Sequence, residues 1–192
     1  MLGMGLYFTK DSAEATPLTQ RAIEQISQDE FDGYIKERTQ VMVALTQGDV
    51  KTVVPSRISF KSYMKPEVMK NLSEQHSLKV QQLYFGWGSN RGGYTVTPGQ
   101  TFDQAIAAAK KAHLEFFRAV QRGEQRPELT ASFQEYKRAS DEYGLPLYAI
   151  DVEARVQDLQ ALLGNSAVRF VDVDSQKRSN FIVPLAPSDF AQ

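Results

Sequence analysis

The part of the sequence whose residue types best suit ligand contact is the glycine-rich run at residues 86–94. It contains Trp87, Arg91 and Tyr94, and aromatic and arginine side chains are the ones that most often anchor binding interfaces. Its glycines would let a phosphate approach the backbone, but no Lys-Ser or Lys-Thr pair follows, and the next residues have a strand pattern. A nucleotide-binding loop is therefore not predicted. Two interpretations stay open: a plain hairpin or loop, or a hairpin whose Trp87, Arg91 and Tyr94 contact a ligand or partner.

The remaining reactive residue types predict no catalytic residue, no metal site and no cofactor. The chain has no cysteine, which excludes thiolate nucleophiles, disulfides and iron–sulfur clusters, and no serine stands in a Gly-x-Ser-x-Gly elbow. His76 and His113 have no partner histidine at a metal-binding spacing, and His113 is expected as a hydrogen-bonded imidazole at the border of the core. Asp172 and Asp174 alternate with valines, which predicts a solvated strand edge.

The charge of the chain argues against binding by bulk electrostatics. Its 22 basic and 23 acidic residues give a formal net charge of -1, so no field extends over the whole surface to hold nucleic acid or an anionic membrane. Lys110 and Lys111 begin a basic flank, but Glu115 interrupts it, which predicts a solvated helix face. No nucleic-acid partner is expected.

The first eight residues are apolar and have two interpretations. They are too few to span a bilayer, which takes about 20 residues, and they lack the basic start of a signal peptide. Either they form a short strand or tail packed on the domain, or they are the end of a membrane anchor. In the second case the residues that follow would form an exported domain.

Two segments share a strand, helix, strand pattern. In residues 56–98 a period-two alternation precedes a helix that begins at Pro66, and a second strand and a hairpin follow. Residues 146–174 repeat the order, with a helix that ends at Gly164. Two such units in one antiparallel sheet form the ferredoxin-like split βαβ arrangement, so the predicted class is α+β.

The other segments predict helices and tails around this sheet. Residues 101–143 predict an inserted helical hairpin, whose first helix starts with a capping box formed by Thr101 and Gln104. The chain has 192 residues, 42% of them hydrophobic, which is enough to bury one core, so residues 1–192 are predicted as a single domain. Residues 1–15 are predicted as a tail or anchor stump. Residues 16–48 are predicted as an N-terminal helical region of two helices or one kinked helix. Residues 175–192 form a tail with a short apolar run suited to an edge strand.

The second unit carries a resemblance to a known group of proteins. Its first strand at residues 147–152 is followed by a short helix ending in Leu-Leu-Gly and by a Val-Arg-x-Val-Asp strand at 168–172. This pattern resembles the final βαβ element of extracytoplasmic regions in Gram-positive membrane proteins, including domains attached to anti-sigma-factor-like regulators. The resemblance implies a location and no activity, because the matching residues are packing and turn positions.

These observations lead to a functional hypothesis with two alternatives. We expect a non-enzymatic, extracytoplasmic sensing or protein-interaction domain of a membrane-anchored bacterial protein, with an unidentified protein partner and membrane contact only through an N-terminal anchor. The alternative is a cytoplasmic small-molecule-binding regulatory domain, since ferredoxin-like sheets often pair around a ligand. A weaker alternative is an enzyme with an unrecognised site. Fold alone does not choose among the three.

Overall fold

The computed structural model describes residues 28–87, 90–121, 128–173 and 186–187. The helices in this part of the chain are α1 (Gln28–Thr46), α2 (Pro66–Gln75), α3 (Phe102–Gln121), α4 (Glu128–Tyr143) and α5 (Val156–Leu162). The strands are β1 (Val53–Met64), β2 (Lys79–Trp87), β3 (Asn90–Thr95), β4 (Leu147–Arg155) and β5 (Val168–Val173).

The five strands form one sheet in the order β3-β2-β4-β1-β5. Every neighbouring pair is antiparallel. Helix α2 connects β1 to β2 across the intervening β4, and α5 connects β4 to β5 across the intervening β1. Strand β3 lies at one edge as the second half of a hairpin, and α3 and α4 join it to β4. The predicted α+β class and antiparallel sheet are confirmed.

The main hydrophobic core lies between one face of this sheet and the helices. Ile58, Leu83 and Ile150 on three adjacent strands are fully buried in it. Met69 of α2 and Leu159 of α5 complete the layer from the helix side, and neither is exposed to solvent. We call this side of the sheet the core face.

Local sequence signals account for where the helices start. Pro66 occupies the first turn of α2, where its missing N–H leaves no partner unsatisfied. The predicted capping box of α3 is confirmed, because the backbone N–H of Gln104 lies 3.3 Å from the Thr101 hydroxyl and that of Thr101 donates to the Gln104 side chain at 2.9 Å. From this start α3 buries Ala105, Ile106 and Ala109 in the main core.

The structure describes only part of the predicted N-terminal helical region. That part is helix α1, which continues past Gly33 without a break, since this glycine is exposed and its missing side chain removes no packing contact. Residues 16–27 of that region, the segment 1–15, and residues 175–185 and 188–192 of the C-terminal tail lie outside the described residues. Among the described helices, none is long and apolar enough to cross a membrane.

Candidate functional site

A row of charged residues crosses the sheet on the side opposite the core face, which we call the second face. Successive side chains of a strand point to opposite sides, so Arg57 faces away from the buried Ile58. Arg57 lies directly opposite Asp151 of β4 on one side and Asp172 of β5 on the other. The antiparallel register thus brings two acids to the same arginine.

Arg57 forms a closed group with Asp151 and Tyr84 of β2, which we call the Arg57 triad. Its Nε donates to one carboxylate oxygen of Asp151 at 2.6 Å, and a terminal nitrogen donates to the other oxygen at 2.8 Å. The Tyr84 hydroxyl donates to Asp151 at 2.8 Å and accepts from Arg57, whose guanidinium lies 4.7 Å from the Tyr84 ring centre. Bidentate pairing of this kind is both strong and directional.

The protonation states of the triad follow from its burial. Burial raises the pKa of Tyr84 far above its usual value, and the Asp151 charge adds to this effect while Arg57 opposes it. Burial alone would lower the pKa of Arg57, but the hydrogen bond and charge of Asp151 raise it above its usual value. At neutral pH the triad therefore contains a charged arginine and a neutral phenol, so Tyr84 is unsuited to act as a base or nucleophile.

Side chains of helix α1 contact Asp172 and shield it from solvent. Its side chain is 1% exposed, accepts a hydrogen bond from the Tyr34 hydroxyl, and lies 3.2 Å from Nε of Arg38. The Tyr34 ring also packs edge-on against Phe170, with the ring centres 6.4 Å apart. The predicted solvated strand edge is wrong for Asp172, because α1 lies over this edge of the sheet, whereas Asp174 lies outside the described residues.

A group of aromatic side chains continues the second face beyond the triad; Tyr63, Trp87, Tyr143 and Tyr148 form what we call the aromatic cluster. Tyr63 stacks on Trp87 with 4.3 Å between ring centres, and Trp87 lies 6.0 Å from Tyr143. Tyr148 is buried and lies 6.4 Å from both Tyr63 and Tyr84, which connects the cluster to the triad. The other three aromatic residues are partly exposed.

The described end of the C-terminal tail contacts this surface. Ala186 has no exposed surface and packs against Tyr148 and Ala149. Tyr63 and Tyr84 border the same contact. A residue from beyond the last strand thus lies where the triad meets the aromatic cluster.

The three residues predicted as a binding site lie at separate points along the β2–β3 hairpin. Trp87 belongs to the aromatic cluster, and Arg91 is paired opposite Gly86. Tyr94 is paired opposite Leu83, packs against the main core and accepts a hydrogen bond from the Gln100 amide at 3.1 Å. Arg91 lies beside Trp87, whereas Leu83, the partner of Tyr94, is four positions from Trp87 along β2, about 13 Å in an extended strand. A joint site of Trp87, Arg91 and Tyr94 stays a prediction.

The glycines of this hairpin allow the inserted helices to pack closely. A side chain at Gly92 would bring its Cβ to 3.1 Å from the Phe85 ring and 3.7 Å from His113 of α3. His113 stacks on Tyr136 of α4, with 4.4 Å between ring centres and an angle of 15°. Burial lowers the pKa of His113 to about 4, so this imidazole is neutral at pH 7. Close packing is thus a sufficient reason for glycine at position 92.

A polar groove lies between α2 and α3. Lys70 of α2 and Asp103 of α3 form an ion pair with 2.5 Å between Nζ and Oδ2, and Lys110 lines the same groove. The Asp103 side chain is 70% exposed, so solvent weakens this pair. Lys111 and Glu115 of α3 are exposed, which agrees with the solvated helix face expected from the sequence for this part of the flank.

The residues of the triad were not identified from the sequence. Arg57 and Asp151 each alternate with apolar residues, a pattern typical of a strand with one solvated face. Their one useful signal was opposite charge at positions that become neighbours only when the strand order is known. Tyr63 and Tyr143 were missed for the same reason, since each comes from a different element than Trp87.

Comparisons with known proteins assign no family to this surface. No protein family, no curated protein and no solved structure matches the chain. Within the described residues, no group of three or more histidine, aspartate or glutamate side chains is placed to hold a metal ion. The arrangement on the second face is therefore interpreted from its own chemistry.

Proposed function

We propose that this protein is a non-enzymatic sensing or protein-interaction domain that binds its partner with the aromatic cluster. The observation that carries the proposal is the stack of Tyr63, Trp87 and Tyr143, three aromatic side chains that stay partly exposed at the end of the second face. Aromatic residues supply large contact areas at a small cost in conformational entropy, and they are enriched at the centres of interfaces.

The state of the Arg57 triad supports binding over catalysis. A general acid or base needs a proton that moves near the working pH. Burial raises the pKa of the Tyr84 hydroxyl well above that range, and the Arg57 charge is permanent. Both carboxylate oxygens of Asp151 are engaged by Arg57 and Tyr84. We infer that the triad is a rigid support that holds Tyr84 against the aromatic cluster.

The topology and the location form the second part of the proposal. With β3 set aside, the order β2-β4-β1-β5 and the crossovers through α2 and α5 support a ferredoxin-like split βαβ sheet, extended by an edge strand and an inserted hairpin of α3 and α4. The resemblance of residues 147–173 supports an extracytoplasmic, membrane-anchored setting. The ferredoxin-like topology and the extracytoplasmic setting are both part of this proposal.

Selection from a random peptide display library on the full chain tests the proposed surface. Peptides that bind the aromatic cluster should bind W87A roughly thirtyfold more weakly, the effect of losing a 2 kcal/mol tryptophan contact. Fluorescence anisotropy of labelled peptides measures the affinities. The matched control is V68A, which truncates an exposed apolar side chain of α2 outside the cluster and should leave the affinities unchanged.

Two results would contradict the proposal. One is a library that yields no enriched peptide, and the other is a set of peptides that bind W87A as tightly as the wild type. A thermal-shift screen with amino acids, nucleotides and sugars covers the small-molecule alternative, because specific binding raises the melting temperature by mass action. If one ligand raised the melting temperature of the wild type and of W87A alike, small-molecule binding would be favoured over peptide binding.

A further inference from the structure

The Arg57 triad has a counterpart at helix α1. In the triad, the tyrosine donates to the carboxylate, and the guanidinium pairs with the same carboxylate and lies 4.7 Å from the ring centre. At α1, Tyr34 donates to Asp172, while Arg38 pairs with Asp172 and places its guanidinium 5.2 Å from the Tyr34 ring centre. Cation–π attraction and an ion pair thus act on one guanidinium in each group. Twice in this protein, a tyrosine that meets a carboxylate is covered by an arginine.

Tyr143, at the end of α4, forms a third pair of a tyrosine with a carboxylate. Desolvation, followed by a hydrogen bond to Glu142 and the charge of Glu142, raises the pKa of Tyr143, so at neutral pH a neutral hydroxyl donates to this carboxylate. Glu142 and its neighbour Asp141 are exposed, and the Tyr143 ring is partly exposed. The last turn of α4 contains no basic residue. Two of the three parts of the recurring group are therefore present at this surface.

The third part, an arginine, is not supplied by the described part of the chain. No lysine or arginine within it covers the ring of Tyr143 or Trp87, and none forms an ion pair with the two carboxylates. The ammonium of Lys110 lies close to Gly144 without pairing with either of them. The ring centres of Trp87 and Tyr143 are 6.0 Å apart, so a guanidinium placed over Tyr143 would also border the tryptophan.

We propose that this end of the aromatic cluster binds an arginine side chain of the partner, with the guanidinium over Tyr143 and paired with Glu142. This inference rests on the proposed function, because it names the chemical group that the same cluster recognises. Charge complementarity favours a cation, since exposed carboxylates adjoin partly exposed rings. Arginine fits better than lysine because its planar guanidinium can stack on a ring and pair with a carboxylate at the same time.

A small arginine probe tests the position without a partner protein. Trp87 is the only tryptophan, so its indole N–H gives a single NMR signal. N-acetyl-arginine amide should shift this signal with half-saturation at about 10 mM, a weak affinity suited to one side chain at an exposed site. N-acetyl-citrulline amide has nearly the same shape but no charge, and it should leave the signal unchanged. Equal shifts with both probes, or no shift with either, would overturn the proposal.

Two variants that change the net charge equally locate the bound probe. E142Q removes the carboxylate charge, keeps the length of the side chain, and should weaken binding of the arginine probe about threefold. The matched control is E74Q, the same change at an exposed glutamate of α2 outside the cluster, which should bind the probe as the wild type does. If E142Q bound the probe as tightly as E74Q, Glu142 would not be part of the site and the proposal would be wrong.

The display library extends the test to whole peptides. In a selected peptide that loses affinity for W87A, replacing its arginine by citrulline should weaken binding to the wild type about tenfold, the sum of an exposed cation–π contact and an ion pair. Replacement by lysine should weaken binding about threefold, because the charge stays and the planar stack is lost. Selected peptides without arginine, or a lysine form that binds as tightly as the arginine form, would count against the proposal.

The design separates this inference from the proposed function. If the arginine probe binds and E142Q weakens it, but the library yields no peptide, the proposed function fails and the arginine site stands. If library peptides bind the wild type and W87A weakens them, while citrulline in place of arginine changes nothing, the arginine site fails and the function stands.

Discussion

The two faces of the sheet bury different kinds of residues, aliphatic on one face and charged on the other. On the core face, Ile150, Ile58 and Val171 form a row across β4, β1 and β5. The adjacent residues Asp151, Arg57 and Asp172, one position away in each strand, form the equivalent row on the second face, and two of them are less than 9% exposed. A step of one residue thus changes an aliphatic row into a charged one.

This difference shows what each face requires of its residues. An aliphatic row is stabilised by burial alone, and a lone polar group there lowers stability, because nothing replaces its lost water. A charged row is stable only while each charge has its partner, so its residues depend on one another. We therefore expect substitutions on the second face to be rescued by a partner substitution, and substitutions on the core face not to be.

The largest expected effect comes from breaking the Arg57 triad. D151A removes both oxygens that accept hydrogen bonds from Arg57 and leaves this buried residue, which is 8% exposed, without its bidentate partner. We expect a loss of about 3–5 kcal/mol in the free energy of unfolding, the range for a buried pair that loses one member. Urea denaturation measures this loss.

A double substitution separates loss of the pair from loss of packing. R57M/D151L replaces both charges by apolar groups and should recover most of the stability lost in D151A, because no unpaired charge remains. The control is the neighbouring core residue: I150A should lose about 2–5 kcal/mol through cavity formation, and adding R57M should not restore it. A double variant no more stable than D151A would contradict the mutual dependence of the charged row.

The next largest effect is a loss of stability at low pH, caused by protonation of His113 beside the core face. His113 packs on Phe85, a core residue, and burial lowers the pKa of His113 to about 4. The unfolded chain binds a proton near pH 6.5, whereas the folded chain does not until about pH 4. Stability is therefore complete above about pH 6.5 and falls as the pH drops toward 4, by about 3 kcal/mol in all.

Urea denaturation at several pH values, compared with H113F, isolates this contribution. Phenylalanine keeps a ring against Tyr136 but cannot be protonated, so H113F should lose stability less steeply between pH 6.5 and pH 4. Parallel curves for the wild type and H113F would show that the imidazole is not held neutral by burial.

The same two faces explain how far the fold could be predicted from the sequence. The antiparallel α+β class followed from period-two alternation and from helix signals such as the capping box at Thr101, since both depend on neighbours along the chain. Burial of the second face could not be inferred that way. Alternating polar residues are also typical of a solvated face, and only the packing of α1 on β5 distinguishes the two cases at Asp172.

The candidate site on the second face was also predicted only in part. Trp87 was singled out because aromatic and arginine residues lie together in one glycine-rich run, which is a local signal. Its actual neighbours, Tyr63 and Tyr143, are far away in sequence and come together through strand order and register. The pairing of Arg57 with Asp151 likewise depends on a sheet register that no single segment encodes.

The smallest expected effect tests the claim that a lone polar group on the core face lowers stability. Ser56 lies in the core-face row of β1, has no exposed surface, and its hydroxyl has no hydrogen-bond partner among the described residues. S56A should raise the free energy of unfolding by about 1 kcal/mol, because it removes a desolvated hydroxyl that gains nothing on folding. Ser73 is the matched control, since it is also buried but donates to the Met69 carbonyl at 2.9 Å. S73A should leave stability unchanged or lower it, as measured by urea denaturation. If S56A destabilised the protein as much as S73A, an unpaired hydroxyl would be acceptable on the core face, and the contrast between the two faces would concern charge alone.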